Sequence, residues 1–109
     1  MNIIILGVGK VGKTLVANFV NEQHDVVIID QKRQVVESLV NSFDVKGLVG
    51  SGLERDVLIE AGVSECDMFI ACATMDELNI LACVLAKNLA QKRLLQEFVT
   101  HKILKKWKT

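Results

Sequence analysis

This chain has no proline, no internal repeat and no low-complexity stretch, so nothing in it reads as a linker between domains. Long hydrophobic runs are missing too. The longest uncharged apolar stretches, such as Ile3–Val8, fall far short of the ~20 residues a membrane helix needs. No basic segment precedes the first apolar run, so no secretory signal is expected. Cysteine is scarce: Cys66, Cys72 and Cys83 form no CxxC pair and are odd in number. They read as reduced cytosolic thiols rather than a disulfide framework. Net charge is zero, yet residues 1–90 hold seven Lys/Arg against twelve Asp/Glu, and residues 91–109 hold six against one. The acidic body excludes an electrostatic case for nucleic acid as a partner.

What is present suits one globular domain. The chain has 109 residues, half of them hydrophobic and 24% charged. That length should bury roughly two-thirds of the unfolded surface without metal or disulfide staples. Short apolar runs alternate with helical patterns. Asn2–Leu6, Asp25–Ile29, Val45–Val49 and Asp67–Ala73 read as strands. The first two, apolar on both faces, suit strands covered from both sides. Helical spacing predicts Lys10–Glu22, Gln31–Phe43, a short helix Glu54–Ala61 closed by Gly62, and Asp76–Leu89. In the last of these, Ile80, Leu81, Val84, Leu85 and Leu89 are expected to face the core or a partner. Such alternation argues for an α/β, Rossmann-like doubly wound parallel sheet of order 3-2-1-4, with a fifth strand left open.

Gly7-Val8-Gly9-Lys10-Val11-Gly12 is a G-x-G-x-x-G string between a strand and a helix. Asp30 ends the next strand eighteen residues after Gly12, near the ~20-residue spacing of a ribose-binding acid. Gly7 permits the turn, Gly9 lets a pyrophosphate approach the backbone, and Gly12 lets the helix pack on the sheet. The helix start then offers N–H groups to phosphates. The same residues, continued through Lys13-Thr14, also fit the ATPase string G-x-x-x-x-G-K-[ST]. Asp30 separates the two readings, because a P-loop needs no acid there and a P-loop enzyme of this size would be unusually small.

With these residues and those that follow, Met1–Leu89 resembles the N-terminal domain of potassium-transport regulators, the KTN, RCK N-terminal or TrkA-N family. The phosphate loop and Asp30 carry part of the likeness. Gly50-Ser51-Gly52, Asp56-Val57-Leu58, Glu60-Ala61-Gly62, Cys66-Asp67-Met68 and Asp76-Glu77-Leu78-Asn79 make it specific. The departures are Leu53 where the family has a small hydroxyl residue, Arg55 where it often has proline, and Ala73 where threonine is usual. Leu53 cannot cap the third helix. Beyond Lys92 the family expects a fifth strand, and residues 94–109 do not match it. The reading therefore divides the chain into a nucleotide-binding domain, 1–93, and a basic tail, 94–109, of unassigned structure. On this resemblance, the family's later ligand-binding half is not expected within these residues.

The resemblance implies a cytosolic regulatory subunit of a potassium uptake or channel system, at the inner face of the membrane through its transporter partner. It implies binding of NAD(H), or of ATP or ADP, a homo-oligomer (a dimer or larger ring), and no enzymatic activity. Candidate binding residues are Gly7, Val8, Gly9, Lys10, Val11, Gly12, Asp30, Gln31, Ser51, Thr74 and Asn79. Several keep a second reading. Ser51 could bond its own turn, Thr74 could cap the fourth helix, and Asn79 could sit on a helix surface. The adjacent Asp76 and Glu77 point about 100° apart on a helix and cannot act as an acid/base pair. His24 and His101 have no metal-ligand partner at suitable spacing. Trp107 among lysines reads as a snorkelling or frayed end. The alternative is the cofactor domain of an NAD-dependent dehydrogenase lacking its substrate domain. No acid/base set stands near the expected nicotinamide position. A third reading is an interaction module that keeps the glycine loop for shape alone.

Overall fold

The computed structural model describes residues 1–98, with side chains described as far as Lys92. His101, Trp107 and most of the basic tail lie outside the described residues. Eight elements follow in order: β1 (Asn2–Leu6), α1 (Lys10–Asn21), β2 (Asp25–Asp30), α2 (Arg33–Ser42), β3 (Lys46–Val49), α3 (Arg55–Ala61), β4 (Met68–Ala71) and α4 (Asp76–Phe98). The strands form one parallel sheet of order β3-β2-β1-β4. This is the Rossmann-like arrangement expected, with four strands among the described residues.

The pleat divides the core. Alternate side chains of a strand point to opposite faces. Ile4, Leu6 and Ile29 therefore pack with Leu58, Ala61, Ala82, Ala86 and Leu89, under α3 and α4. Ile3, Ile5 and Ile28 pack with Val16, Val36 and Leu39, under α1 and α2. β1 is central and its residues Ile3–Leu6 are all buried. At roughly 1.5–3 kcal/mol for a fully buried aliphatic side chain, this four-residue run is a main source of stability. An Ile5→Ala exchange, at a residue with no exposed surface, would cost about 2–5 kcal/mol.

Several boundaries differ from expectation, each for a local reason. α2 starts at Arg33 rather than Gln31, because an Asp30 carboxylate oxygen accepts the Lys32 amide at 2.9 Å and turns the chain first. β4 starts at Met68 and stops at Ala71 rather than running from Asp67 to Ala73. Its partner β1 ends opposite Ala71 at Leu6, and at the other end the Asn2 amide donates to the Asp67 carboxylate at 2.7 Å in place of a backbone carbonyl. Among the described residues no side chain caps α3, whose N-cap is Glu54. Gly62 closes α3 in the left-handed conformation, φ +87°.

The fourth helix is longer than expected. α4 passes Leu89 and reaches Phe98, because residues 90–98 contain good helix formers and neither glycine nor proline. Its apolar residues divide between core and surface. Ala82, Ala86 and Leu89 face the sheet, with Leu85 partly buried. Ile80, Leu81 and Val84 are 64%, 55% and 52% exposed. Small alanines let the helix lie close to β4 and turn the larger side chains outward.

Candidate nucleotide-binding site

The candidate residues gather at the carboxyl ends of the strands. Gly7 leaves β1 with φ +84°, a conformation that L side chains avoid. A Cβ there would stand 2.5 Å from the Ala73 nitrogen, so the turn needs glycine on two counts. The Gly7 amide donates to the Ile29 carbonyl at 2.8 Å. Gly9 is the N-cap of α1, and no side chain caps that helix among the described residues. A Cβ added to Gly9 would meet nothing within 4 Å. The first turn of α1 carries no acidic residue of its own, so its N–H groups keep their partial positive charge for a ligand. Gly12 is buried, and a Cβ there would lie 2.6 Å from the Gly7 carbonyl oxygen and 3.3 Å from Cys72 Sγ.

This geometry removes the P-loop reading. A Walker-type loop finishes before its G-K-[ST] and the helix follows. Here α1 already begins at Lys10. Gly12, Lys13 and Thr14 are inside it, and Thr14 Oγ1 donates to the Lys10 carbonyl at 3.2 Å.

Asp30 joins two parts of the site. Its Oδ2 accepts the Val8 amide at 2.8 Å and its Oδ1 accepts the Lys32 amide at 2.9 Å. One carboxylate thus ties the end of β2 to the glycine loop. An ionised carboxylate has about four acceptor sites, so capacity remains for hydroxyl donors. Gln31, Lys32 and Arg33 beside it are exposed. The Asp30 carbonyl accepts the Gly50 amide at 3.0 Å, which seats the Ser51 turn next to it.

Ser51 and Asn79 are both engaged within the chain. Ser51 Oγ accepts the Leu53 amide at 3.1 Å, and Glu54 Oε1 accepts the Ser51 amide at 3.0 Å. Asn79 Oδ1 accepts the Ala73 amide and its Nδ2 donates to the Ala73 carbonyl, both at 2.9 Å. Thr74, Lys10 and Val11 are exposed at the rim.

Two contributors were not legible in the sequence. Cys72 donates its thiol to the Gly7 carbonyl at 3.0 Å, and burial raises its pKa above the ordinary thiol value. Glu54 shapes the Ser51 turn. A small residue at the end of the fourth strand, and an acid three residues after Ser51, were the available signals. Cys83 is exposed, while Cys66 is half-buried with its pKa also raised, chiefly by burial. A groove of about 210 Å³ lined by Val63, Cys66, Phe69, Cys83, Ala86, Lys87 and Ala90 lies between β4 and α4, away from the glycine loop. Among the described residues no three potential ligands could hold a metal ion, and no helix is long and apolar enough to cross a membrane.

Comparison with known proteins agrees with this geometry. The chain is 40% identical over 89 residues to the Trk system potassium uptake protein TrkA of Vibrio alginolyticus, a match covering 82% of this chain and 19% of that protein. It thus spans about a fifth of that relative's length. The Shewanella denitrificans Kef C-terminal domain in its AMP-bound form superposes with a TM-score of 0.70 at 17% identity, covering 81% of this chain and 52% of that one. The Bordetella bronchiseptica enzyme WbmG in complex with NAD gives 0.64 at 20% identity, covering 84% and 34%. At such identities the likeness is one of fold. The TrkA-N domain profile matches residues 3–103. That match extends beyond the 89 residues aligned with the Vibrio protein. The chain belongs to the TrkA-N domain family.

Proposed function

We propose that this chain is the nucleotide-binding regulatory domain of a potassium uptake system, not an enzyme. It takes NAD(H), or ADP or ATP, at the carboxyl edge of the sheet. One observation carries the reading: the Asp30 carboxylate holds the Val8 amide of a glycine loop whose Gly9 opens onto empty space at an uncapped helix start. The residues present fit an adenine nucleotide. Gly9 leaves room for a diphosphate against the backbone, and the first N–H groups of α1 complement its charge. Lys10 at the rim adds a cation. Asp30 accepts from ribose hydroxyls and repels a 2′-phosphate. Gln31, Ser51 and Thr74 complete the wall, and Asn79 supports it through Ala73.

The partner is a membrane potassium transporter or channel subunit, with the domain on the cytoplasmic side. Nucleotide occupancy would act through a difference in affinity between two arrangements of an assembled ring, since a ligand shifts an equilibrium only by its differential affinity. A second copy of the chain would cover Ile80, Leu81 and Val84, which form one exposed stripe on α4. The experiment is a thermal-shift screen of the purified chain against NADH, ADP, ATP and NADPH, joined to a potassium-uptake assay in cells lacking the gene. Stabilisation by the first three and loss of uptake support the reading. Indifference to all four nucleotides refutes it.

A further inference from the structure

Asn79 turns its side-chain amide to the backbone of one residue. It accepts from the Ala73 amide and donates to the Ala73 carbonyl, both at 2.9 Å. That paired contact links the first turn of α4 to the segment just past β4. The Ala73 backbone is also what stands where a Gly7 Cβ would go, 2.5 Å from the nitrogen and 2.6 Å from Cα. On the same side, Cys72 donates its thiol to the Gly7 carbonyl and its amide to the Leu6 carbonyl. Asn79 therefore reaches the glycine loop without touching it, through a backbone packed directly on Gly7.

We infer that Asn79 is a positioning residue for nucleotide binding: it clamps Ala73 against Gly7 and so sets the shape of the Gly7–Gly9 turn. The inference rests on the nucleotide reading above for its consequence, but not for its geometry. Both Asn79 bonds are partly buried and directional. An alanine at position 79 leaves the Ala73 amide and carbonyl without these partners, and that segment can then move off Gly7. Loosening spreads to the Val8 amide, whose bond to Asp30 depends on the turn.

The test compares Asn79→Ala with Ala82→Gly in the full chain. Ala82 is buried three residues further along α4, so its glycine variant weakens the helix and its packing without touching Ala73. The first readout is amide hydrogen exchange at Val8 and Gly9 in the absence of nucleotide. The second is calorimetric titration with ADP at a temperature where both variants are folded. Asn79→Ala should exchange at Val8 and Gly9 about tenfold faster than Ala82→Gly and bind ADP about tenfold more weakly, as expected for losing one or two modest hydrogen bonds. If Asn79→Ala does not fold, Asn79→Asp serves. It keeps the acceptor for the Ala73 amide but sets a carboxylate oxygen against the Ala73 carbonyl, and the exchange readout decides. Equal exchange at Val8 and Gly9 in the two variants overturns the inference, as does an equal loss of ADP affinity. Failure of the wild-type chain to bind ADP, with faster exchange still confined to Asn79→Ala, overturns the nucleotide reading and leaves the clamp standing.

Discussion

Replacing Asp30 with alanine removes two bonds that the fold uses before any nucleotide binds. The Val8 amide at 2.8 Å and the Lys32 amide at 2.9 Å lose their acceptor together. Hydrogen bonds to a charged group contribute about 1.5–3 kcal/mol each. The Lys32 bond is exposed and its donor regains water, so it belongs at the bottom of that range or below. The Val8 bond is partly buried, and its donor is stranded in the loop. A loss of about 2–3 kcal/mol in unfolding free energy follows, a large share of the ~5–15 kcal/mol that holds a domain together. Asp30→Asn should recover part of it, because an amide oxygen can still accept one N–H while its NH2 faces the other. Urea denaturation of the ligand-free proteins gives the order wild type, Asn, Ala. In parallel, Asp30→Ala should weaken NADH, ADP and ATP alike by about 1.5–3 kcal/mol, through the ribose hydroxyls. An alanine variant as stable as wild type would refute the structural role assigned to this carboxylate. Unchanged nucleotide affinity in a folded variant would refute the ribose role.

The two glycines should separate fold from function. Gly9→Ala should cost at most about 1 kcal/mol of stability, since its Cβ meets nothing within 4 Å, yet weaken ADP about tenfold or more by obstructing the phosphates. Gly7→Ala should instead destabilise by about 2–5 kcal/mol, from the left-handed backbone and the overlap with Ala73, as read by thermal melts. Burial raises the Cys72 pKa above 9.0, so the folded state holds that proton more tightly than the unfolded state does. Its contribution to stability is full below the unfolded thiol's pKa and declines as pH climbs through the folded one. Urea midpoints measured from pH 7 to 10 should fall less steeply in Cys72→Ala than in wild type. Ile80→Glu with Val84→Glu should abolish self-association seen by light scattering in the wild-type chain, and a wild type that stays monomeric at high concentration would argue against the α4 stripe as an interface.

The parts of this fold legible in the sequence were those where one residue pattern has one physical solution. Asn2–Leu6 is apolar on both faces, and only an interior parallel strand uses both. The glycine loop and Asp30 were legible as a spacing, because strand, turn and helix lengths leave little freedom between them. Asp30's hold on Val8 was not. It depends on β1 and β2 pairing Leu6 with Ile29, a register that no local pattern states. The apolar residues of α4 were legible only as facing the core or a partner, because side-chain size is a poor guide to which of them face inward when a helix must lie close to a sheet. There the alanines are buried and Ile80, Leu81 and Val84 are left outside. The end of α4 was missed because a helix without a stop signal gives no mark of where it ends. Ser51 and Asn79 each had two readings in the sequence, and in the structure both side chains bond the backbone of neighbouring turns.

The central claim is that this glycine loop and Asp30 together bind an adenine nucleotide lacking a 2′-phosphate. Calorimetric titration of the wild-type chain with NADH, ADP and NADPH tests it most directly. Asp30 should favour NADH over NADPH, by about tenfold in affinity or about 1.4 kcal/mol, with Lys32 and Arg33 nearby limiting the gap. ADP should bind as well, since it presents the same adenosine end. Tighter binding of NADPH than NADH, or heat from none of the three, would contradict the account.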